Sequence, residues 1–326
     1  MTAPRLPVRV CAFHPSMGPD IAAAVRDSGV PATVEVVTDT AADPPGRDEI
    51  DVLVANRFPA GLLGRCRRLR WLHLTGTGVD HVPAGEPRPE LAVTNSAAVP
   101  AVPVAEFAWM GLLALAKDAP ATVRRQQERS WSLPDARRVA GSRLLLVGLG
   151  RVGAEIARRA PAFGVAVTAV TRRARPSPLA AEVLPPDRLA EAAATADHLV
   201  LAAPATAGTA GLVGEAVLRA LPRTATVVNV GRSAVLDTAA LVSALTAGRL
   251  RGALLDVHDS EPLPPDSPLW AVPNLWLTPH GAYRFPEEGQ EVGRLVARNL
   301  VAYAAGRPLP DAVDEPGLRT PAGATP

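Results

Sequence analysis

Four polar residues stand where apolar stretches of the chain end: Arg232, Asp256, Glu261 and His280. Such a set has the parts needed to reduce the carbonyl of a 2-keto acid. That reaction takes a hydride at C2, a proton at the carbonyl oxygen and a clamp on the carboxylate. Histidine titrates near working pH and suits the proton. A carboxylate beside it, the role open to Glu261, orients the ring and fixes its tautomer. Arginine grips a carboxylate or carbonyl oxygen through two parallel N–H groups. Each residue also has a plainer reading: a structural histidine after proline, an aspartate capping a turn, a surface arginine. Only a sheet whose strand ends share one edge would bring them together.

A hydride donor needs a cradle. Residues 144–153, Leu-Leu-Leu-Val-Gly-Leu-Gly-Arg-Val-Gly, read as a buried strand, a glycine turn and a helix start. Gly148 permits the tight turn, Gly150 removes a side chain from the path of a pyrophosphate, and Gly153 lets helix and strand approach. The helix N-terminus, with Arg151 and Val152, offers free N–H groups to phosphate. A helix over 154–160 and a strand over 165–170 complete a strand–helix–strand unit. After that strand come Thr171, Arg172 and Arg173, where an NAD site usually places an acidic residue for the ribose. A hydroxyl and guanidinium groups suit a 2′-phosphate, so NADP(H) is favoured and NAD(H) stays open. A basic surface loop is the plainer alternative.

Composition narrows the field. A chain of 326 residues implies two domains, and a 48% apolar fraction supplies their cores. The net charge of +2 gives no electrostatic case for nucleic acid or an acidic membrane surface. Lys117 is the only lysine, and no phosphate-loop motif precedes it. The two cysteines, Cys11 and Cys66, read as small buried residues of a reducing compartment. No Cys/His cluster has metal-ligand spacing, so no metal is expected. No long apolar run or leader is visible, and the reading is a soluble, cytoplasmic protein.

The elements that must position these residues alternate along the chain. Strands are expected at 8–13, 33–37, 51–55, 69–74 and 91–96, with a helix over 21–26 capped by Asp20. Together they make a small open α/β domain without a glycine fingerprint. A helix over 104–117, apolar on nearly every face, is expected to be buried all round, in a core or between subunits, and ended by Pro120. A polar helix follows, then the glycine turn, then strands at 198–203, 225–230, 250–255 and 274–278. Asp237 and Gly248 bracket one helix as caps. A last helix covers 287–305, and the tail from Asp311 reads as loose. Asn56 and Arg57 follow the third strand, and Gly76, Thr77, Gly78 and Val79 follow the fourth, where backbone N–H groups can face a ligand.

Nearly the whole chain resembles the D-isomer-specific 2-hydroxyacid dehydrogenase family. The resemblance is carried, in order, by the Gly76-Thr77-Gly78-Val79-Asp80 motif, Val104-Ala105-Glu106, the Gly148 fingerprint, Val228-Asn229-Val230-Gly231-Arg232, the stretch 255–263 through Glu261, Ser267-Pro268-Leu269-Trp270 and Thr278-Pro279-His280. It implies two Rossmann-like α/β domains, the cofactor domain (99–285) inserted in a flavodoxin-like substrate domain (1–98 plus 286–326). It implies a homodimer and a small 2-keto or 2-hydroxy acid substrate. Arg232 matches the substrate-binding arginine, Glu261 the carboxylate paired with the catalytic histidine, and His280 that histidine. Asp256 matches a residue near the nicotinamide carboxamide, and the Gly76 loop holds the substrate carboxylate. Ala203, Pro204, Val230 and His280 complete the implied cofactor contacts. The basic Thr171 loop is similar to that of NADP-using glyoxylate/hydroxypyruvate reductases. Arg57 is either a contact for an anionic substituent or a solvated charge. Two other readings share the scaffold: a phosphonate or phosphite oxidoreductase, and a non-catalytic NAD(P)-sensing corepressor.

Overall fold

The computed structural model describes residues 5–79, 82 and 90–313. The chain divides into two compact units, Met1–Pro100 with Phe285–Pro326, and Ala101–Arg284.

The first unit runs β1 (Val8–Phe13), α1 (Gly18–Asp27), β2 (Ala32–Val37), β3 (Val52–Ala55), α2 (Leu62–Arg65), β4 (Trp71–Leu74) and β5 (Ala92–Asn95). All pairings are parallel, in the order β2-β1-β3-β4-β5. This is the flavodoxin-like order. Alternation along β1 explains why the sheet is covered on both faces. Val8, Val10 and Ala12 join Ile21 and Val25 on one side, while Cys11 and Phe13 join Leu62 and Leu63 on the other. Burial pushes the Cys11 thiol up to about 12 and that of Cys66 to about 11, and neither is in a disulfide.

The second unit contains α3 (Ala101–Ala116), α4 (Ala119–Gln127), β6 (Arg143–Val147), α5 (Arg151–Arg159), β7 (Ala166–Val170), β8 (Glu182–Leu184), α6 (Leu189–Ala193), β9 (His198–Leu201), α7 (Glu215–Ala220), β10 (Thr226–Asn229), α8 (Thr238–Thr246), β11 (Gly252–Leu255) and β12 (Leu275–Leu277). Its seven strands are parallel in the order β12-β11-β10-β9-β6-β7-β8. Leu145 and Val147 of β6 bury into one core with Leu199 and Val227; Leu144 and Leu146 bury into the other with Ala108, Leu112 and Ile156. The chain then returns to the first unit as α9 (Glu288–Ala304), which lays Val292, Val296 and Leu300 into the core against Ile21 and Val25.

Several expectations need correction. Asp20 does not cap α1; it lies inside the first turn, and the backbone ahead of the helix is held by His14, whose Nδ1 accepts from Ser16 N–H (3.2 Å) and Met17 N–H (3.1 Å). Pro120 does not end α3. The helix stops at Ala116, Asp118 turns the chain with φ 58°, and Pro120 sits in the first turn of α4, where its missing N–H costs nothing. Within the single chain α3 leaves one stripe uncovered, Val102, Glu106 and Met110, four residues apart. The three-residue β8 and six-residue α7 were not expected, being too short to show a period. Asp311 is not loose. It is buried and accepts from Arg298 (2.6 Å) and Asn299 (2.7 Å). Asp80 and residues 314–326 lie outside the described residues.

Candidate active site

The glycine turn follows β6, the strand at which the second sheet changes direction. Gly148 has φ +96°, and a Cβ there would lie 2.8 Å from the backbone N of Ala203. Gly231 is equally tight: its Cβ would meet the Ala203 carbonyl at 2.7 Å. The ends of β6, β9 and β10 therefore pack glycine against backbone, gathering Gly148, Ala203, Pro204 and Val230 at one edge. At Gly153 an added Cβ would lie 2.0 Å from the Gly148 carbonyl oxygen, so only glycine permits this helix start. Gly150 differs. Nothing lies within 4 Å of its Cβ position, and its φ of −76° is ordinary. The first rung of α5 is Ala154 N–H to Gly150 O, so the N–H groups of Arg151, Val152 and Gly153 lie ahead of the helical ladder. An open cradle with unladdered N–H groups and a helix dipole behind it fits a pyrophosphate.

Past β7, Thr171 is half-buried and Arg172 and Arg173 are exposed. Their side chains and that of Arg151, like those of Arg138 and Arg175, have no ion pair or hydrogen bond among the described residues. Other arginines of this unit do: Arg159 with Glu155, Arg188 with Glu191, Arg251 with Asp135.

The structure brings Glu261 and His280 together. The loop after β11 carries Glu261 and the turn after β12 carries His280. Glu261 Oε2 accepts from His280 Nδ1 at 2.8 Å. A carboxylate accepts, so the proton of that bond sits on Nδ1 and Nε2 is the nitrogen left for chemistry. The His280 side chain is 37% exposed, so it is reachable. Burial pushes the Glu261 carboxyl up. The His280 bond and the His258 backbone N–H at 3.0 Å outweigh it, holding the carboxyl below its ordinary value. His280 also has φ 51°, a left-handed backbone uncommon outside glycine and found where surroundings over-determine it.

Asp256 is almost fully buried, and its carboxylate is already in use. Oδ1 accepts from the Thr278 hydroxyl (2.8 Å) and Gly281 N–H (2.9 Å), and Oδ2 from Ala282 N–H (3.0 Å). Three donors of the His280 turn converge on it. Arg232 lies past β10, two strands from β12, and donates from one guanidinium nitrogen to the Gly231 carbonyl at 2.9 Å.

In the first unit, Asn56 and the Gly76 loop meet. Asn56 Oδ1 would lie 3.1 Å from a Cβ at Gly76. Arg57 is exposed. Sequence reasoning missed Asn95, whose side-chain N–H donates to the Thr77 carbonyl at 2.7 Å, while Ser96 N–H reaches the Gly76 carbonyl at 3.2 Å. A polar residue closing a Val-Thr strand was the available signal. Beneath them His73, wholly buried, bonds Thr94 Oγ1 (2.7 Å) and Ser96 Oγ (2.9 Å), and burial pushes its pKa down to about 4.

Residues 109–282 match the sequence profile of the D-isomer specific 2-hydroxyacid dehydrogenase NAD binding domain. A glyoxylate reductase of Korarchaeum cryptofilum is 32% identical over 278 residues, 82% of this chain and 83% of that protein. A D-isomer specific 2-hydroxyacid dehydrogenase from Xanthobacter autotrophicus Py2, solved in complex with NADPH and MES, superposes with a TM-score of 0.81 at 28% identity, covering 94% of this chain and 98% of its own. An NADPH-dependent glyoxylate/hydroxypyruvate reductase from Sinorhizobium meliloti, solved with NADP and sulfate, gives a TM-score of 0.81 at 25% identity over 94% and 98% of the two chains.

Proposed function

We propose a definite activity for this chain, which belongs to the D-isomer specific 2-hydroxyacid dehydrogenase family of oxidoreductases: it is an NADP(H)-preferring 2-keto acid reductase of the glyoxylate/hydroxypyruvate type. The observation that carries the reading is the 2.8 Å bond from His280 Nδ1 to Glu261, which commits one ring nitrogen and leaves the other for the substrate.

The residues divide the work by chemistry. When bound, the reduced nicotinamide supplies a hydride to C2 of the keto acid. Imidazolium Nε2–H of His280 gives its proton to the oxygen that becomes alkoxide-like, and Glu261 holds the ring and balances its charge. Arg232 offers N–H groups to the carbonyl or carboxylate oxygens. Backbone N–H groups of Gly76, Thr77, Gly78 and Val79 are assigned the carboxylate, with Asn56 and Arg57 beside them. Gly148, Gly150, Arg151, Val152 and Gly153 hold the pyrophosphate, and Ala203, Pro204 and Val230 border the dinucleotide. Preference for NADP(H) is supported by Arg172 and Arg173 past β7 and Arg151 at the start of α5, and by NADPH in a relative that superposes well.

A homodimer through the second unit is supported by what that unit leaves exposed. Trp131 and Leu133 are almost entirely in solvent, at 104% and 91%, and Val102 and Met110 of α3 are exposed as well. Large exposed apolar side chains mark contact surfaces. The base of the segment bearing Trp131 is fixed: Arg251 pairs with Asp135 at 2.7 Å and donates to the Leu115 carbonyl at 3.1 Å.

His280→Ala should lower NADPH-dependent turnover by about 1,000-fold or more, the upper part of what a general acid supplies, with NADPH affinity changed less than about threefold. Turnover and cofactor binding are measured separately, against a panel of glyoxylate, hydroxypyruvate, pyruvate, phenylpyruvate, branched keto acids and phosphonopyruvate. Near-normal turnover on every acid sinks the reading. Tight NADPH binding by the unaltered protein with no acid reduced favours the corepressor, and turnover confined to the phosphonate favours the other oxidoreductase.

A further inference from the structure

A second histidine stands behind the pair. His258, in the loop between β11 and Glu261, donates from Nε2 to the Thr278 carbonyl at 2.8 Å. A carbonyl oxygen only accepts, so His258 carries its proton on Nε2. Its Nδ1 is buried and without a hydrogen-bond partner among the described residues. The Thr278 carbonyl also accepts from His280's own backbone N–H at 3.0 Å. Both lone pairs of this oxygen are therefore occupied, one by each histidine. The backbone N–H of His258 donates to Glu261 Oε1.

His258 thus touches both halves of the pair through atoms that do not react. Its N–H holds the carboxylate, and its ring holds the turn from which the imidazole projects. Asp256 holds the same turn through Thr278, Gly281 and Ala282, but among the described residues it does not bond Glu261. The same turn holds His280 in a left-handed backbone, uncommon outside glycine.

We propose that His258 is a positioning residue for the acid/base pair, whose ring N–H latches the Thr278 carbonyl to the loop carrying Glu261 and so sets Glu261 against His280. This rests on the reading of Glu261 and His280 as the acid/base pair. The groups facing Glu261 are His280, the His258 backbone and the His258 ring, with Asp256 behind the turn.

The test compares His258→Phe, which keeps a ring and the backbone bond but has no donor, with His258→Gln, whose side-chain N–H can reach the Thr278 carbonyl. Thermal midpoints control for folding, and His258→Asn, too short for that carbonyl, replaces the Phe variant if it does not fold. Misplacement by about an ångström costs about 100-fold, so kcat for NADPH-dependent glyoxylate reduction should fall by that order in His258→Phe, with KM within about threefold. The acid limb of its kcat/KM profile should move to higher pH, because a loosened Glu261 returns toward the ordinary carboxylate range. His258→Gln should recover kcat to within about tenfold of the parent protein. Parental kcat and an unmoved acid limb in His258→Phe overturn the latch while leaving the reductase reading intact. If instead His280→Ala retains turnover, that reading fails by itself. The downfield proton resonance of His280 Nδ1–H in the resting protein then decides the latch: its loss in His258→Phe supports it, its persistence overturns it.

Discussion

Both units turn their sheet order around a central strand, β1 in one and β6 in the other, and the two turns that follow are filled differently. After β6 the chain runs Gly148-Leu149-Gly150, and the N–H groups at the start of α5 lie ahead of its ladder. After β1 it runs His14-Pro15-Ser16-Met17, and His14 Nδ1 already accepts from Ser16 and Met17. The turn ahead of α1 is tied by the protein's own acceptor, and the turn ahead of α5 has no such side-chain acceptor among the described residues. Sheet topology alone therefore does not make a dinucleotide site; the side chains of one short turn decide it.

Two glycines in the turn ahead of α5 separate its roles. Gly153→Ala should destabilise the fold by about 3 kcal/mol, the cost of severe overpacking, since the new methyl must displace the Gly148 carbonyl. Gly150→Ala should leave stability within about 0.5 kcal/mol, because its methyl meets no protein atom. It should nonetheless weaken NADPH by about 100-fold, or about 2.7 kcal/mol, by standing where the pyrophosphate goes. Thermal unfolding and NADPH titration give both numbers. Unchanged NADPH affinity in Gly150→Ala would break the comparison between the two turns.

The second prediction concerns Arg172 and Arg173, which the fold leaves without carboxylate partners. Their joint replacement by Ala should weaken NADPH by about 30-fold, as for lost charge-assisted hydrogen bonds, and NADH by less than about threefold. Equal losses on the two cofactors would reduce this loop to a solvated surface and remove the argument for NADP(H).

What could be read in the sequence was what residue type enforces locally. The Leu-Leu-Leu-Val run with its glycines dictated β6, the turn and α5, because few other local structures suit that pattern. Glu261 and His280 were legible as chemistry, and their meeting was legible only through a strand-end rule. Asp256 was harder. Its donors lie 22 to 26 residues further on, two of them backbone N–H groups of a turn, and no side-chain pattern announces that. His258 and Asn95 were missed for the same reason: each acts on a carbonyl oxygen, which every residue has. His14 was hidden because an acceptor ahead of a helix is sought among Ser, Thr, Asp and Asn. Short elements such as β8 and α7 had no period to detect.

The smallest effect belongs to the tied turn. His14→Ala removes the buried acceptor of two backbone N–H groups, a loss of hydrogen bonding that should cost about 1 kcal/mol. His14→Asn should restore most of that, since an amide oxygen two bonds from Cβ stands close to where the imidazole Nδ1 stood. Neither change should alter NADPH affinity, because the residue ties a turn of the other unit. Denaturant unfolding and NADPH titration of the two variants check both statements. A loss of NADPH affinity in His14→Ala, at unchanged stability, would mean that the turn after β1 serves the ligand too, and the contrast between the two turns would fall.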